Sequence, residues 1–173
     1  EEISLWSFNL VSVPARTYIS NFYNGFQDDK FFENLKMHDQ LDNHYFERYK
    51  RHILIKNIGG HGQKKLVQAK VLLVGLGGIG STVLQHLAAA GIGKIGLVDQ
   101  DTVALSNLQR QTIYTFEDIG RKKVSVASNF VKNLNKNVDI SEYDFFLNAN
   151  NSTSVIDEYD IVFFLKRARV ADQ

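Results

Sequence analysis

The sequence contains no cysteine and only one proline among its 173 residues. Without cysteine the chain forms no disulfide, holds no thiolate-bound zinc and offers no cysteine nucleophile. Its 44% hydrophobic and 23% charged residues are typical of a globular protein, which excludes a globally disordered or collagen-like chain. Because a chain of this length buries a sizeable core, we expect one sizeable domain, or one domain with an appendage.

Charge is distributed unevenly along the chain. Residues 1–47 carry eight acidic and three basic side chains, whereas residues 48–70 carry seven basic and no acidic ones. Such a basic segment attracts phosphate groups, either of a nucleotide or of a nucleic acid. The sequence has neither zinc-finger spacing nor an alternation of basic with aromatic residues, so we expect no nucleic-acid partner.

No charged side chain occurs between residues 71 and 93, a length sufficient to cross a bilayer. However, four of the first ten residues in this run are glycine, and Gln85 and His86 lie within it. Glycines between an apolar run and an alanine-rich run indicate a strand, a turn and a helix. We therefore expect a soluble, cytoplasmic protein with no membrane segment.

From residue 70 onward, strand and helix patterns alternate. Apolar runs predict strands over Val71–Val74, Lys94–Asp99, Val138–Leu147 and Asp160–Leu165. Helices are predicted over Ser81–Ala90, with Ser81 as the cap, and over Arg121–Leu134. This order is typical of an α/β protein with a doubly wound, Rossmann-like, mostly parallel sheet.

Residues 1–47 are predicted to form a small N-terminal appended domain, separate from residues 48–173. This extension holds half of the aromatic side chains of the chain. The pattern predicts a short strand over residues 3–10 and helical structure over residues 18–35. An aromatic-rich segment either packs on the main domain or offers anchors for a peptide partner, and both alternatives stay open.

A glycine pattern lies between the first predicted strand and the first predicted helix. Gly75, Gly77 and Gly80 form G-x-G-x-x-G, and Asp99 ends the second predicted strand. Such glycines permit a tight turn, a close approach of backbone to phosphate and tight helix packing, and the acid accepts hydrogen bonds from ribose. The pattern predicts nucleotide binding without separating NAD from ATP.

The segment from Asp99 to Val124 separates these two cofactors. It reads DQDTVALSNLQRQTIYTFEDIGRKKV and places two acids, an Asn, an Arg, a Gln and a basic cluster beside the nucleotide crevice. Guanidinium and ammonium groups neutralise charge during phosphoryl or nucleotidyl transfer, whereas hydride transfer has no such need. A capped surface turn explains any one of these residues but not the group.

Four runs resemble the ThiF/MoeB/HesA group, which are relatives of ubiquitin-activating enzymes. The runs are RYKRHIL, GLGGIGS, DQDTVALSNLQRQ and IGRKKV, and the resemblance covers residues 48–165. It implies an ATP-dependent adenylyltransferase that activates the C-terminal carboxylate of a peptide or small protein and releases pyrophosphate. The implied cofactors are ATP and Mg²⁺.

The resemblance also implies the site residues. The glycines would line the phosphates, the two acids would lie near the ribose, and the Asn, Arg and Gln would position the phosphates and the reacting carboxylate. Arg51 matches an arginine that reaches the partner subunit's ATP, so we expect a homodimer with Arg51 acting in trans. The full set is Arg51, Gly75, Gly77, Gly78, Gly80, Asp99, Asp101, Asn107, Arg110, Gln111 and the phosphate-contacting Lys123.

The end of the sequence departs from the family's pattern. The last predicted strand is followed by basic residues where the family has an aspartate that helps hold magnesium, and Asp172 lies too far along to match it. We therefore interpret residues 48–173 as the N-terminal half of an adenylation domain. No metal ligand is assigned here, and zinc is expected only in a missing C-terminal part.

The N-terminal extension resembles the layout of MccB-type enzymes. In those, an appended domain holds a precursor peptide while its C-terminus is adenylated during peptide-antibiotic maturation, so we predict a precursor peptide as the substrate. The alternatives are activation of a sulfur-carrier or ubiquitin-like protein, a non-catalytic peptide-binding scaffold, and a dinucleotide-dependent oxidoreductase. The segment 107–111 argues against the last of these.

Overall fold

The computed structural model describes residues 10–11 and 43–165 of the chain. The expectations for most of the N-terminal extension, including the helical spacing over residues 18–35, lie outside the described residues. Asp172 also lies outside them. What the structure describes is chiefly the region in which strand and helix patterns alternate.

The strands of the described residues form one five-stranded sheet. They are β1 (Leu10–Val11), β2 (Lys70–Val74), β3 (Lys94–Val98), β4 (Asp139–Tyr143) and β5 (Ile161–Phe164). The spatial order is β1-β5-β2-β3-β4, in which β5, β2, β3 and β4 are parallel and β1 is antiparallel to β5. In register, Val74 of β2 lies between Val98 of β3 and Phe164 of β5. The predicted parallel α/β fold is confirmed.

The described part of the chain also contains α1 (Asn43–Ile53), α2 (Gly59–Gln68), α3 (Gly78–Ala90), α4 (Lys123–Leu134) and α5 (Ser152–Ile156). Helices α3 and α4 each connect one parallel strand to the next, as parallel pairing requires. Short 3₁₀ turns at Leu105–Asn107 and Phe116–Asp118 lie in the connection between β3 and α4. None of these described helices has the length and apolar character needed to span a bilayer.

The two central strands, β2 and β3, are buried on both faces of the sheet. On one face, Leu73 of β2 and Ile95 of β3 pack with Leu84 of α3 and Ala127 of α4. On the other face, strand residues and the segment around α5 form a second apolar cluster. Its members are Leu72, Val74, Val98 and Val162 of the strands, Val155 of α5, and Tyr159. Burial on both faces explains why β2 and β3 read as nearly continuous apolar runs instead of alternating ones.

Strand β2 lies where the winding of the chain reverses. The connection through α3 leads from β2 to β3, whereas the later connection through α5 brings the chain back to β5 on the opposite side of β2. In doubly wound sheets, ligands bind in the crevice outside the carboxyl ends of the strands at such a switch point. The glycine-rich residues 75–78 follow β2 directly, so the topology places them at this crevice.

Helix α1 packs at the ends of α3 and α4 that are remote from the glycine loop. Tyr49 of α1 is 2% exposed, and its hydroxyl oxygen accepts a hydrogen bond from Asn135 Nδ2 at 2.8 Å. Gly91 ends α3 with a φ of 84°, and a Cβ added there would overlap the Tyr49 hydroxyl. Because α1 runs through residues 47 and 48, it crosses the predicted domain boundary, and the division into two domains stays a prediction.

Two element boundaries differ from the expected ones by more than two residues. Strand β4 ends at Tyr143, since Phe145 and Leu147 leave the strand and pack against the second apolar cluster. Helix α3 begins at Gly78, and Gly77 occupies its N-cap without a side-chain hydrogen bond. The expectation that Ser81 caps this helix is therefore wrong: Ser81 is buried within the first turns, where its hydroxyl donates to the Gly78 carbonyl.

Gly80→Ala should lower the free energy of unfolding by about 2 kcal/mol or more, because a Cβ at position 80 would overlap the carbonyl oxygen of Gly75. Gly77→Ala is the matched control, since no described atom lies within 4 Å of a Cβ there and φ is −77°. Urea unfolding of both variants makes the comparison. Equal losses in the two variants would contradict the observed packing of α3 on the glycine loop.

Candidate nucleotide site

The glycine loop, residues 75–78, has a packed side and an open side. Gly75 has a φ of 100°, a conformation that favours glycine, and its amide donates to the Val98 carbonyl at 2.8 Å. Gly80 packs directly on the Gly75 carbonyl, which explains why position 80 carries no side chain. At Gly77, in contrast, no described atom lies within 4 Å of an added Cβ. The loop is therefore held in place at Gly75, by the Val98 carbonyl and by Gly80, and has open space beside Gly77.

The start of α3 brings backbone amides and a guanidinium together. The Ser81 amide donates to the Gly77 carbonyl at 2.9 Å, so the amides of residues 78–80 precede the first bond of this helix. Amides in this position, aligned with the helix dipole, favour an anion. Arg110 lies beside them, with its Cδ 3.4 Å from the position of a Cβ at Gly78. This end of α3 is accordingly suited to a phosphate group.

Asp99 connects the glycine loop to the chain that follows β3. It is 4% exposed, and both of its carboxylate oxygens accept backbone hydrogen bonds. Oδ2 accepts from the Leu76 amide at 2.7 Å, and Oδ1 accepts from the Asp101 amide at 2.9 Å. The ribose contact predicted for Asp99 would use the remaining lone pairs and stays a prediction.

Lys123 contacts the same stretch of chain that follows β3. Its Nζ lies 3.6 Å from Asp101 Oδ2, and its amide donates to the Asp101 carbonyl at 3.1 Å. A β-bridge between Thr102 and Lys122 holds the two segments side by side. Although it is the first residue of α4, Lys123 is only 5% exposed. The fold thus brings an ammonium group and a carboxylate, distant in sequence, to one edge of the sheet.

Asn107, Arg110 and Gln111 share a compact turn. The Asn107 carbonyl accepts hydrogen bonds from the amides of Arg110 and Gln111 at 3.1 and 3.0 Å, and Asn107 Oδ1 accepts from the Ala104 amide at 3.2 Å. Gln111 is 2% exposed, and its Oε1 has no hydrogen-bond partner among the described residues. The turn therefore presents an exposed Arg110 and keeps a buried, unpaired acceptor at Gln111.

Sequence reasoning missed Tyr114, which contacts the glycine loop from a third segment. Its hydroxyl donates to the Leu76 carbonyl at 3.0 Å, and its amide donates to the Gln111 carbonyl at 3.1 Å. Burial, together with the nearby carboxylates of Asp99 and Asp101, raises the pKa of Tyr114, so the hydroxyl keeps its proton and acts as a donor. No local motif marks this residue, because its role depends on a tertiary contact.

Asp118 was also missed, although a signal was available. Its Oδ2 accepts from the Thr115 amide and hydroxyl at 2.9 and 2.8 Å, and its Oδ1 accepts from Arg121 at 2.8 Å. Burial raises the pKa of Asp118, but these donors and the Arg121 charge outweigh it and hold the pKa below its ordinary value. Thr115 and Asp118 have the spacing of a capping box. The carboxylate orders the segment that leads into Lys123.

Arg51 lies apart from the other predicted site residues. It belongs to α1, two residues from Tyr49, which packs at the remote end of α3. The 13 residues of α3 separate that end from the glycine loop by roughly 20 Å. A cavity of about 200 Å³ lies at the remote end and is lined by Tyr45, Tyr49, Val67, Gly91, Gly93, Asn135, Asn137 and Val138. Within one chain, Arg51 and the glycine loop are not brought together.

The described carboxylates do not form a ligand set for a metal ion. No group of three or more His, Asp or Glu side chains in the described part of the chain is placed to hold one. Asp99 binds backbone amides through both oxygens, and Asp101 faces Lys123. The expectations of Mg²⁺ here, and of zinc in a further part of the protein, stay predictions.

The fold and the site together define a class of protein. A doubly wound parallel sheet with a glycine loop, an arginine and a lysine at its switch point is a Rossmann-like domain of the kind that binds nucleotides there. The model of the ThiF family matches residues 49–165. The chain belongs to the ThiF family, which confirms the resemblance inferred from its motifs.

Three relatives are between 25% and 41% identical to this chain over the residues that align. Sulfur carrier protein adenylyltransferase of Thermus thermophilus is 41% identical over 116 residues, which are 67% of this chain and 43% of the relative. The structure of E. coli MccB with MccA-N7isoASN is 34% identical, with a TM-score of 0.55 over 66% of this chain and 34% of MccB.

A third relative was solved with a nucleotide. E. coli tRNA N6-threonylcarbamoyladenosine dehydratase, TcdA, in complex with ATP, is 25% identical, with a TM-score of 0.63 over 66% of this chain and 46% of TcdA. The chain therefore spans less than half the length of each of these three proteins.

Asp118→Asn should lower the free energy of unfolding by about 1–2 kcal/mol at pH 7, because the charged acceptor of the Thr115 and Arg121 hydrogen bonds is lost. Because folding lowers the pKa of Asp118, its ionised carboxylate stabilises the fold at pH values above the pKa of the unfolded chain, about 3.9. This stabilisation is lost as the pH falls through the pKa of the folded protein. The difference between wild type and variant should therefore shrink near pH 3. Urea unfolding at both pH values measures it, and a difference independent of pH would contradict the assignment.

Proposed function

We propose that the protein is an ATP-dependent adenylyltransferase that activates the C-terminal carboxylate of a peptide or small protein. A carboxylate oxygen attacks the α-phosphorus of ATP, the bond from that phosphorus to the oxygen bridging to the β-phosphate breaks, and pyrophosphate leaves with the bonding electrons. Two observations in this ThiF-family chain carry the proposal. Arg110 lies beside the glycine loop, and Lys123 is linked to the same loop through Asp101 and Asp99. A relative named as an adenylyltransferase and another solved with ATP support it.

The triphosphate is assigned to the start of α3. Open space at Gly77 leaves room for phosphate groups, and the amides of the first helical turn favour an anion. Arg110 is exposed beside this turn, so its guanidinium can bind phosphate oxygens through forked donors. Lys123 supplies positive charge as the pyrophosphate departs. These groups act through alignment and charge stabilisation, and adenylation needs no covalent enzyme intermediate.

Other residues are assigned to orienting the nucleotide and the acceptor. Asp101 is exposed and offers its carboxylate to the ribose hydroxyls, while the buried Asp99 holds the backbone beneath it. Asn107 has its side-chain oxygen engaged by Ala104, so it contacts a ligand through its NH₂ group. Gln111 contributes the unpaired Oε1, since a buried acceptor without a partner is completed by a ligand donor.

A second subunit is assigned the role of completing the site. Arg51 is exposed and lies at the end of α3 remote from the glycine loop of its own chain. An arginine in this place can reach a triphosphate only in another chain. The homodimer with Arg51 acting in trans therefore remains our proposal for the assembly.

Two acceptor classes each have an observation in their favour. The 41% identity with sulfur carrier protein adenylyltransferase supports a small protein of the sulfur-carrier type. The 34% identity with MccB, solved with MccA, supports the precursor peptide and the peptide-antibiotic maturation predicted from the layout of the extension. Since most of residues 1–47 lies outside the described residues, the choice between them rests on experiment.

Arg110→Ala should lower acceptor-dependent exchange of pyrophosphate into ATP by about 100-fold or more in the full-length protein, because it removes the guanidinium beside the first turn of α3. The fold should persist, since Arg110 is exposed. Lys132→Ala is the matched control: it removes a cation from the last turn of α4 and should leave the rate within about twofold of wild type.

Each alternative has its own outcome in this assay. Exchange that survives Arg110→Ala would place the reacting phosphates elsewhere. Binding of an acceptor without exchange in the wild-type protein would favour the peptide-binding scaffold. Reduction of NAD by the wild-type protein would favour the oxidoreductase.

A second exchange experiment decides between the acceptors. A sulfur-carrier-type protein and a short precursor-type peptide are compared, each with a free and with an amidated C-terminus. We expect the true acceptor to support exchange only with its free carboxylate, since that oxygen is the nucleophile. Exchange that is equally fast with the amidated form would contradict activation of a C-terminal carboxylate.

A further inference from the structure

The two peptide groups on either side of the Leu76 Cα are each held by a buried side chain. The N–H of the Gly75–Leu76 peptide group donates to Asp99 Oδ2 at 2.7 Å, and the carbonyl oxygen of the Leu76–Gly77 peptide group accepts from the Tyr114 hydroxyl at 3.0 Å. The residues Leu76, Asp99 and Tyr114 are buried, with Leu76 fully inaccessible and Tyr114 4% exposed. The two bonds arrive from different segments, one at the end of β3 and one in the connection to α4. Together they fix two consecutive peptide planes.

These two peptide planes lie in a glycine-rich stretch of the chain. The flanking residues Gly75, Gly77 and Gly78 adopt many backbone conformations at little cost. The Leu76 side chain is anchored in the apolar cluster below the loop, but this anchoring does not fix the rotation of the two peptide groups beside it. The two hydrogen bonds do, and the peptide group held by Tyr114 carries the N–H of Gly77, where the loop is open.

Tyr114 also reaches the turn that carries Arg110. Its amide donates to the Gln111 carbonyl at 3.1 Å, and the Gln111 amide in turn donates to Asn107 at 3.0 Å. One residue therefore touches both segments to which the phosphates are assigned.

We propose that Tyr114 is a positioning residue for the nucleotide: its hydroxyl fixes the Leu76–Gly77 peptide group and so orients the glycine loop, in register with the turn that bears Arg110. The inference rests on the proposed function for the identity of the ligand, ATP. Tyr114 acts on the nucleotide only through the glycine loop, because its own side chain is buried.

Tyr114→Phe removes only the hydroxyl, and Tyr159→Phe is the matched control. The Tyr159 hydroxyl is also partly buried and bonds the Tyr143 hydroxyl at 3.1 Å, but it lies with the second apolar cluster, on the other face of the sheet. Both variants are examined in the full chain by calorimetric titration with ATP, by urea unfolding, and by amide hydrogen exchange at residues 76–78.

Tyr114→Phe should weaken ATP binding by about tenfold, since one net hydrogen bond to the loop is lost. Exchange of the Leu76 amide should speed up by a similar factor, because the freed Leu76–Gly77 peptide group loosens the loop that carries the Leu76 bond to Asp99. Tyr159→Phe should lose comparable stability without either change. Unchanged ATP affinity in a folded Tyr114→Phe variant would overturn the inference, as would slow Leu76 exchange. If Tyr114→Phe does not fold, 4-aminophenylalanine at position 114, which keeps a donor, should retain the wild-type affinity, and its loss would overturn the inference.

The two proposals fail in distinguishable ways. A wild-type protein that does not bind ATP would defeat the proposed function, and the hydrogen exchange of residues 76–78 would still decide whether Tyr114 orders the loop. ATP binding that is strong in wild type and unaltered in Tyr114→Phe would defeat only the role of Tyr114.

Discussion

The buried carboxylate of Asp99 is the contact on which the rest of the site depends. It accepts one hydrogen bond from the glycine loop and another from the connection after β3, at 2.7 and 2.9 Å. From Asp101 the chain of contacts continues to Lys123, and from Leu76 it continues through Tyr114 to Gln111. A buried acceptor with both oxygens occupied is costly to disturb, so this group holds three segments in one arrangement.

The parallel sheet makes this arrangement accessible to a ligand. The carboxyl ends of β2 and β3 lie side by side, and β5 leaves β2 on the other side, which opens the crevice above the glycine loop. Gly80 can pack against the Gly75 carbonyl because Gly80 has no side chain, and this contact sets the start of α3 close to the sheet. The helix then presents its unpaired amides to the crevice together with Arg110.

Structural features that depend on local sequence could be predicted, and features that depend on tertiary contacts could not. The apolar runs of β2 and β3 and the spacing of Gly75, Gly77 and Gly80 predicted the sheet and the loop. The motif around Arg110 predicted the family, now shown by the match over residues 49–165. The partners of Asp99 proved to be backbone amides, and Tyr114 has no local signal, because both roles arise only when distant segments meet. The place of Arg51 likewise depends on how Tyr49 packs against Gly91.

The most direct measurement is a calorimetric titration of the full chain with ATP and, separately, with NAD. The glycine loop alone is compatible with either nucleotide, whereas Arg110 and Lys123 at the same edge favour a triphosphate. We expect saturable binding of ATP that NAD does not displace. Binding of NAD that is tighter than that of ATP would contradict the assignment of this site to adenylyl transfer.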